Sequence, residues 1–203
     1  MSEEHLGKAA QWQLTGSGLN WPNLLARRRP YADPAAFARL YEETHPIVAR
    51  YILGLSGRPL AEIEDLTAIT YERAWKARKR FQGEADAALG WLLTIARRLI
   101  IDAYRQQQRH GETVTLEHIV LADREAGPEQ QIIGHEQQQR LWQLLADLPE
   151  EQREMLVLRY MVGWQVKEIA AYMGLRPNTV SVTIQRLLAR LRRDWRATEG
   201  SEK

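Results

Sequence analysis

The chain contains no cysteine, so it can form neither disulfides nor thiolate metal sites. A protein without disulfides suits a reducing compartment. No apolar run approaches the ~20 residues that a transmembrane helix needs. Residues 1–18 also lack the basic-then-apolar order of a secretion signal. These absences predict a soluble, cytoplasmic protein without membrane insertion.

Sequence signals for catalysis and for metal binding are missing as well. The five histidines share no metal-ligand spacing, and the chain has neither a glycine-rich phosphate loop nor a Ser-His-Asp arrangement. Glu64 and Asp65 are adjacent, but neighbouring helix residues point about 100° apart, and no nucleophile accompanies them. The sequence therefore predicts no metal, no cofactor and no enzymatic activity. An enzyme or a purely protein-binding adaptor is an alternative that would require a converging polar pocket.

Charge is segregated along the chain, although the net charge is only +2. Residues 71–110 hold nine Lys and Arg against four Asp and Glu, and residues 140–196 hold ten against six. Between them, residues 111–139 hold one Arg against six acidic residues. Two basic modules thus flank an acidic connector, and such blocks are typical of chains that use different segments for different partners.

Hydrophobic periodicity predicts an all-α fold of two small helical domains joined by a flexible acidic linker. The predicted domains are residues 31–110 and 139–203, with an extension at 1–30 and the linker at 111–138. Asp33 and Pro34 mark the start of a helix, which Pro46 is expected to bend or split. Residues 82–90 read as a polar loop, and "TVTLEHIV" is the only strand candidate.

The helix predicted at 88–109 has two unlike sides. One side is apolar at steps of three and four, and the opposite side is polar and basic. We expect the first to pack into a bundle and the second to offer positive charge. The apolar side holds Leu92, Ile95, Ala96, Leu99 and Ala103; the other holds Thr94, Arg97, Arg98, Ile101, Arg105 and Gln108.

Two amphipathic helices near the C-terminus are joined by the three residues "GLR". Helices joined by so short a turn cannot lie antiparallel with both apolar stripes buried. They are therefore expected to cross steeply, as in a helix-turn-helix. Gly174 can supply the left-handed turn residue, and Pro177 fits the first position of the second helix.

The side of the second helix that faces away from its apolar stripe carries short polar residues early and arginines late. Asn, Thr and Gln can read base edges in the major groove, and arginines can hold phosphates. An αα-hairpin with a solvated face is the alternative. The DNA-binding candidates are Arg176, Asn178, Thr179, Ser181, Val182, Thr183, Gln185, Arg186, Arg190 and Arg193.

Three stretches together resemble the sigma-70 family of bacterial transcription initiation factors, in particular its extracytoplasmic-function (ECF) subgroup. They are "EDLTAITYERAWKARKRF", "GWLLTIARRLIIDAYRQQQR" and "LADLPEEQREMLVLRYMVGWQVKEIAAYMGLRPNTVSVTIQRLLARLRR". ECF members typically keep the second and fourth conserved sigma regions, joined by a linker. This organisation matches the two basic modules and the acidic connector.

The resemblance implies a role for each module. The helix that contains Asp65 would dock on the β′ clamp helices of core RNA polymerase. Core RNA polymerase, through these helices and its β subunit, is the expected partner. The loop at 81–91 and the following helix would melt and read the −10 element of promoter DNA, and helix 177–193 would read the −35 element. An anti-sigma factor is a further expected partner. The polymerase-binding candidates are Asp65, Leu66, Tyr71, Glu72 and Trp75; the −10 candidates are Thr94, Arg97, Arg98, Ile101 and Arg105.

The chain departs from the family pattern at several positions. Ala68 and Ile69 stand where members commonly have Gln-Glu, and the loop "FQGEADAALGW" lacks the usual Ser-Phe-Arg-Thr run. Arg176 and Gln165 each stand where a serine usually caps a helix. A free-standing helix-turn-helix regulator, which acts without polymerase, is the main functional alternative. Non-specific nucleic-acid binding by basic helices is another.

Overall fold

The computed structural model describes residues 29–110, 137 and 140–201. No strand occurs among these residues, so the all-α prediction is confirmed, and the strand candidate at 113–120 lies outside them. A 3-10 turn, Arg78–Arg80, and a π-helical turn, Leu158–Val162, each directly follow a helix. The helices are α1 (Pro34–Ser56), α2 (Leu60–Ala77), α3 (Ala85–His110), α4 (140–146), α5 (Glu150–Val157), α6 (Val166–Met173) and α7 (Pro177–Ser201).

Helix α1 begins at the cap that its sequence predicts. The Asp33 carboxylate accepts hydrogen bonds from the backbone N–H groups of Ala35 (3.4 Å) and Ala36 (3.2 Å), and Gly57 ends the helix in the left-handed region at φ 58°. The helix is continuous across Pro46, so the predicted split is wrong. Pro46 is exposed, whereas residues 51–56 are all buried, and this packing offsets the backbone bond that a proline removes.

Replacing Asp33 with alanine tests the cap. Asp33→Ala is expected to lower the free energy of unfolding by about 1 kcal/mol, because two helix N–H groups lose their acceptor. Urea denaturation followed by circular dichroism measures the change. Asp33→Asn is the matched control, since asparagine caps a helix as well as aspartate does, and it should stay close to the wild type. Equal losses in both variants would contradict the capping role.

The first bundle, residues 29–110, packs α1, α2 and α3 around a core in which Tyr51, Ile52 and Leu92 are fully buried. Helix α3 begins at Ala85, so most of the loop predicted at 82–90 is helical. Gly90, which the loop prediction relied on, lies within α3 and is buried. The second bundle lies above it: a Cβ at position 90 would lie 3.6 Å from the Tyr172 ring, an ordinary van der Waals distance.

The second bundle, residues 140–201, packs against the first. Gly54 of α1 lies flush against α5 and the π turn, since a Cβ at position 54 would come within 2.7 Å of Val157 and 2.5 Å of Met161. Buried side chains of both bundles form one continuous apolar cluster. The sequence predicted two small helical domains joined by a linker, and the structure shows the two bundles in contact.

Helix α3 is consequently buried on two sides. Leu92, Ala96 and Leu99 are buried as predicted, but Leu93 and Ile100 are buried too. Part of the second side of α3, which the sequence assigns to DNA, faces α4, α5 and α6 in this arrangement. The expectation that only one side of α3 is covered is therefore wrong.

Candidate nucleic-acid and polymerase interfaces

The α6–turn–α7 unit has the geometry expected of a helix-turn-helix. Gly174 adopts φ 68°, and the following N–H, of Leu175, donates to the Ala170 carbonyl at 2.9 Å. This pair of features is the αL glycine termination of a helix. Helix α7 then buries Val180, Ile184 and Leu187, so its opposite side is free of the core.

The candidate DNA-reading side of α7 is open to solvent. Three residues of its first two turns, Ser181, Val182 and Thr183, are half-buried. The guanidinium of Arg190 lies 3.4 Å from the Asp194 carboxylate, a weak exposed ion pair that DNA phosphates can replace. The exposed candidates are Arg176, Asn178, Thr179, Gln185, Arg186, Arg190 and Arg193.

The N-terminus of α6 is held by a partner that the sequence analysis did not identify. The backbone N–H of Gln165 donates to the Glu168 carboxylate at 2.6 Å. Glutamate at the third helical position is half of a capping box. Glu168 therefore supplies part of the helix capping that a serine at position 165 would give.

Of the −10 candidates on α3, some are exposed and others face the second bundle. Arg98 and Arg105 are exposed. Thr94 and Ile101 are half-buried, and the Thr94 hydroxyl donates to the Gly90 carbonyl at 2.9 Å. Arg97 reaches across to α5, where its guanidinium lies 3.0 Å from the Glu154 carboxylate and 2.9 Å from that of Glu150.

Glu154 is the centre of this contact. Its side chain is only 3% exposed, and its second oxygen accepts a 2.5 Å hydrogen bond from the hydroxyl of Tyr51. Burial raises the pKa of Glu154 above its ordinary value, and the charge of Arg97 opposes that shift. Burial likewise raises the pKa of Tyr51 well above its ordinary value, and the neighbouring Glu154 carboxylate raises it further.

The polymerase-binding candidates on α2 divide into exposed and buried residues. Asp65, Glu72 and Trp75 are exposed. Leu66 and Tyr71 lie in the core at 9% and 5% exposure, so they can support a docking surface but offer it little area. The hydroxyl of Tyr71 lies 2.7 Å from that of Thr44, and burial raises the pKa of Tyr71 to about 12.

Three large apolar side chains of the first bundle are exposed near these residues. Tyr41 is 42% exposed, Ile69 is 38% exposed and Trp75 is 37% exposed. The Tyr41 ring lies 4.7 Å from that of Tyr71, and the Arg78 guanidinium lies 3.4 Å above the Trp75 ring. Sequence reasoning missed Tyr41 and treated Ile69 only as a departure from the family. The signal for both is exposure of large apolar side chains, which is read only from a structure.

Membrane spans and metal clusters are both absent from the described residues. No helix at 29–110 or 140–201 is long and apolar enough to cross a bilayer. Within the same ranges, no three His, Asp or Glu side chains converge in a way that could hold a metal ion.

Comparisons with known proteins assign both bundles. Residues 40–110 match the family Sigma-70 region 2, and residues 138–191 match the family Sigma-70, region 4. The first bundle is thus the region 2 domain, and the second is the region 4 domain.

Two known ECF sigma factors are similar along most of the chain. ECF RNA polymerase sigma factor SigD of Mycobacterium tuberculosis is 34% identical over 79% of this chain and 77% of its own. Factor BldN of Streptomyces coelicolor is 32% identical over 82% of this chain and 64% of its own length. The chain therefore belongs to the ECF subgroup of the sigma-70 family of RNA polymerase sigma factors.

Solved structures agree on the fold. CnrH, in a complex with the cytosolic domain of CnrY, gives a TM-score of 0.60 at 22% identity, over 83% of this chain and 93% of that one. RpoE of Bartonella quintana, in a complex with the anti-sigma factor NepR, gives a TM-score of 0.60 at 22% identity, over 77% of this chain and 94% of that one. At this identity the likeness shows the fold alone.

Proposed function

We propose that this sigma factor directs core RNA polymerase to promoters through three surfaces. The exposed residues of α2 dock on the polymerase, the basic side of α3 holds the opened −10 element, and the exposed side of α7 reads the −35 element. The single observation that supports this assignment best is the open α7 face, in which polar and arginine side chains lie opposite a fully buried stripe. Short polar residues at the N-terminal end suit base edges, and late arginines suit phosphates.

Transcription of whole genomic DNA tests the proposal, because this template contains every promoter that the protein can use. Purified core polymerase from the source bacterium is incubated with sheared genomic DNA, with and without the protein, and RNA 5′ ends are sequenced. We expect new start sites that share two upstream elements at a fixed separation. A free-standing regulator would create no new start sites and would instead protect a symmetric operator without polymerase.

An anti-sigma factor is part of the proposal. The large apolar side chains of Tyr41, Ile69 and Trp75 are exposed, and exposed apolar surface is typical of protein interaction sites. A partner that covered these side chains would compete with polymerase for the docking surface of α2. In a binding assay with purified components, competition between the anti-sigma factor and polymerase would indicate that the anti-sigma factor binds at α2. An anti-sigma factor that binds at α7 would leave the polymerase contact of α2 free.

Arg186 provides a test of the −35 assignment. Arg186→Ala is expected to weaken binding to the −35 element by about 1–3 kcal/mol if the side chain reads a base, and by less if it holds a phosphate. Binding is measured by fluorescence anisotropy with duplexes from the mapped promoters. Arg192→Ala is the matched control, since Arg192 is exposed but lies about 120° around the same helix. An unchanged affinity for Arg186→Ala would refute the placement of α7 in the groove.

A further inference from the structure

A cavity of about 510 Å³ lies between the two bundles. Its lining comes from the end of α1, from α3, from α4 and from α5. Protein cores are normally packed without voids of this size. Pockets that bind small molecules, in contrast, typically measure ~300–1,000 Å³ and are frequent at the interfaces between domains. The size and the position of the cavity are therefore those of a ligand site.

The walls of the cavity are largely apolar. Trp142 and Leu145 of α4 line it, and so do Ile100 and Tyr104 of α3. The guanidinium of Arg58 lies 5.5 Å from the centroid of the Tyr104 ring, a cation–π contact that helps to hold this ring in place. Two aromatic side chains among aliphatic ones favour a ligand with flat apolar rings, because aromatic rings pack well against each other.

The polar part of the lining includes a cation without a counter-ion. The Arg153 guanidinium donates to the backbone carbonyls of Leu55 at 3.1 Å and Ala146 at 2.8 Å. A third N–H donates to the Leu148 carbonyl at 3.3 Å, which leaves two of the five N–H groups of an arginine. Its Nε is buried and has no acceptor among the described residues. Since an incompletely paired charge in a half-buried position is unfavourable, Arg153 can gain from an anionic ligand.

The charges at the cavity leave an excess of one positive charge. Arg97, Arg105 and Arg153 line it, together with Glu150. Arg97 is already paired, because its guanidinium lies 2.9 Å from Glu150 and 3.0 Å from the adjoining Glu154. Arg105 is exposed. Three arginines against two carboxylates thus favour a ligand that carries one negative charge.

We propose that this cavity binds an aromatic monoanion, a molecule in which flat apolar rings carry a single carboxylate or sulfonate group. The rings pack against Trp142 and Tyr104, and the acidic group binds Arg153 and Arg105. Arginine suits this role because its planar guanidinium presents several N–H donors to such oxygens. Binding requires neither DNA nor polymerase, so the inference goes beyond the proposed function and is tested independently of it.

Two fluorescent probes that share one ring system test the site. Anilinonaphthalene sulfonate is an aromatic monoanion whose emission rises in apolar surroundings, and phenylnaphthylamine has the same rings without the sulfonate. Each probe is titrated into the folded full-length protein. We expect the sulfonate to bind saturably, with one molecule per chain. The absence of saturable binding would mean that the cavity holds only water, and it would overturn the inference.

Arginine variants test the charge. Arg153→Gln is expected to weaken binding of the sulfonate about tenfold and to change binding of phenylnaphthylamine far less. Arg105→Gln alters an exposed residue, should act in the same direction, and decides the question if Arg153→Gln does not fold. Arg192→Gln removes the same charge from an exposed position of α7 outside the cavity and should have no effect. Equal sulfonate affinities in Arg105→Gln and Arg192→Gln overturn the inference, as do equal losses for both probes.

Filling the cavity tests the location. Leu145→Trp places a larger side chain in the lining and is expected to abolish saturable binding of the sulfonate. Gln143→Trp is the matched control, since it introduces the same side chain at an exposed position about 160° around α4. Circular dichroism verifies that both variants fold. Retained binding in folded Leu145→Trp would place the probe on another surface and overturn the inference.

Thermal unfolding gives a measurement that does not depend on fluorescence. A ligand that binds only the folded chain raises the melting temperature. At a sulfonate concentration ten times its Kd, we expect the wild type to melt about 3–6 °C higher, and we expect no shift for Leu145→Trp. An equal shift in the two proteins would contradict binding in the cavity.

Discussion

Raising the pH from 10 to about 12 is expected to unfold the protein cooperatively. Burial raises the pKa of Tyr71 from 10.0 to about 12, and it also raises the pKa values of Tyr51 and Tyr172. Each phenol is neutral when protonated, and the folded state keeps the proton to a higher pH than the unfolded chain does. Stability is therefore fully present below pH 10 and falls as the pH rises through the folded pKa values.

The expected loss is large compared with the stability of a typical domain. Each pH unit above 10 lowers the free energy of unfolding by about 1.4 kcal/mol for each tyrosine that only the folded state keeps protonated. Tyr71, over the two units between 10.0 and about 12, removes about 3 kcal/mol of a typical total of ~5–15 kcal/mol, and Tyr51 and Tyr172 lower the stability in the same direction. Circular dichroism at 222 nm records the helix, and absorbance at 295 nm records the tyrosinates.

Two variants sharpen this titration. Tyr71→Phe removes one of the three linked protons and should make the loss of stability with pH less steep. Tyr160→Phe changes a tyrosine that is 59% exposed and should leave the unfolding midpoint where it is. If the tyrosines ionise gradually while the helical signal persists, these phenols are accessible to solvent in the folded protein and the prediction is wrong.

Local sequence signals predicted the features that depend on neighbouring residues. The Asp33 cap, the turn at Gly174 and the buried stripe of α7 are set within one or two helical turns, and the structure shows each of them. The recognition side of α7 followed from that stripe, since a helix with one buried side must present the other. Its exposure could therefore be predicted, whereas its contacts with DNA remain a prediction.

The features that were missed depend on distant parts of the chain. Tyr51 and Glu154 are 103 residues apart, and no local pattern links a tyrosine of α1 to a glutamate of α5. Of the bend or split predicted at Pro46, the split does not occur, and the residues that follow it are buried. Residues 85–90 form helix rather than loop, and Gly90 among them is buried beneath Tyr172. In each case tertiary packing outweighs local propensity.

The charge at position 65 is expected to have a large effect on polymerase binding. Asp65, Ile69 and Glu72 lie at spacings of four and three on α2, so they share one side of the helix, and all three are exposed. A charged group beside an exposed apolar side chain such as Ile69 sets which partner can dock there. Placing a like or unpaired charge in such an interface costs several kcal/mol.

Asp65→Lys is accordingly expected to reduce affinity for core polymerase by about 100-fold and to abolish initiation from the mapped promoters. Glu43→Lys is the matched control: it reverses the charge of a carboxylate at an exposed position of α1, about 160° around that helix from Tyr41, and should reduce affinity far less. Binding is measured by anisotropy of the labelled protein at two salt concentrations, with circular dichroism to verify folding. Equal losses in both variants would indicate a general charge effect, and no loss in either would remove this side of α2 from the docking surface. A selective loss for Asp65→Lys would place the polymerase on the side of α2 that carries Asp65, Ile69 and Glu72, and would leave the α3 surface available for the −10 strand.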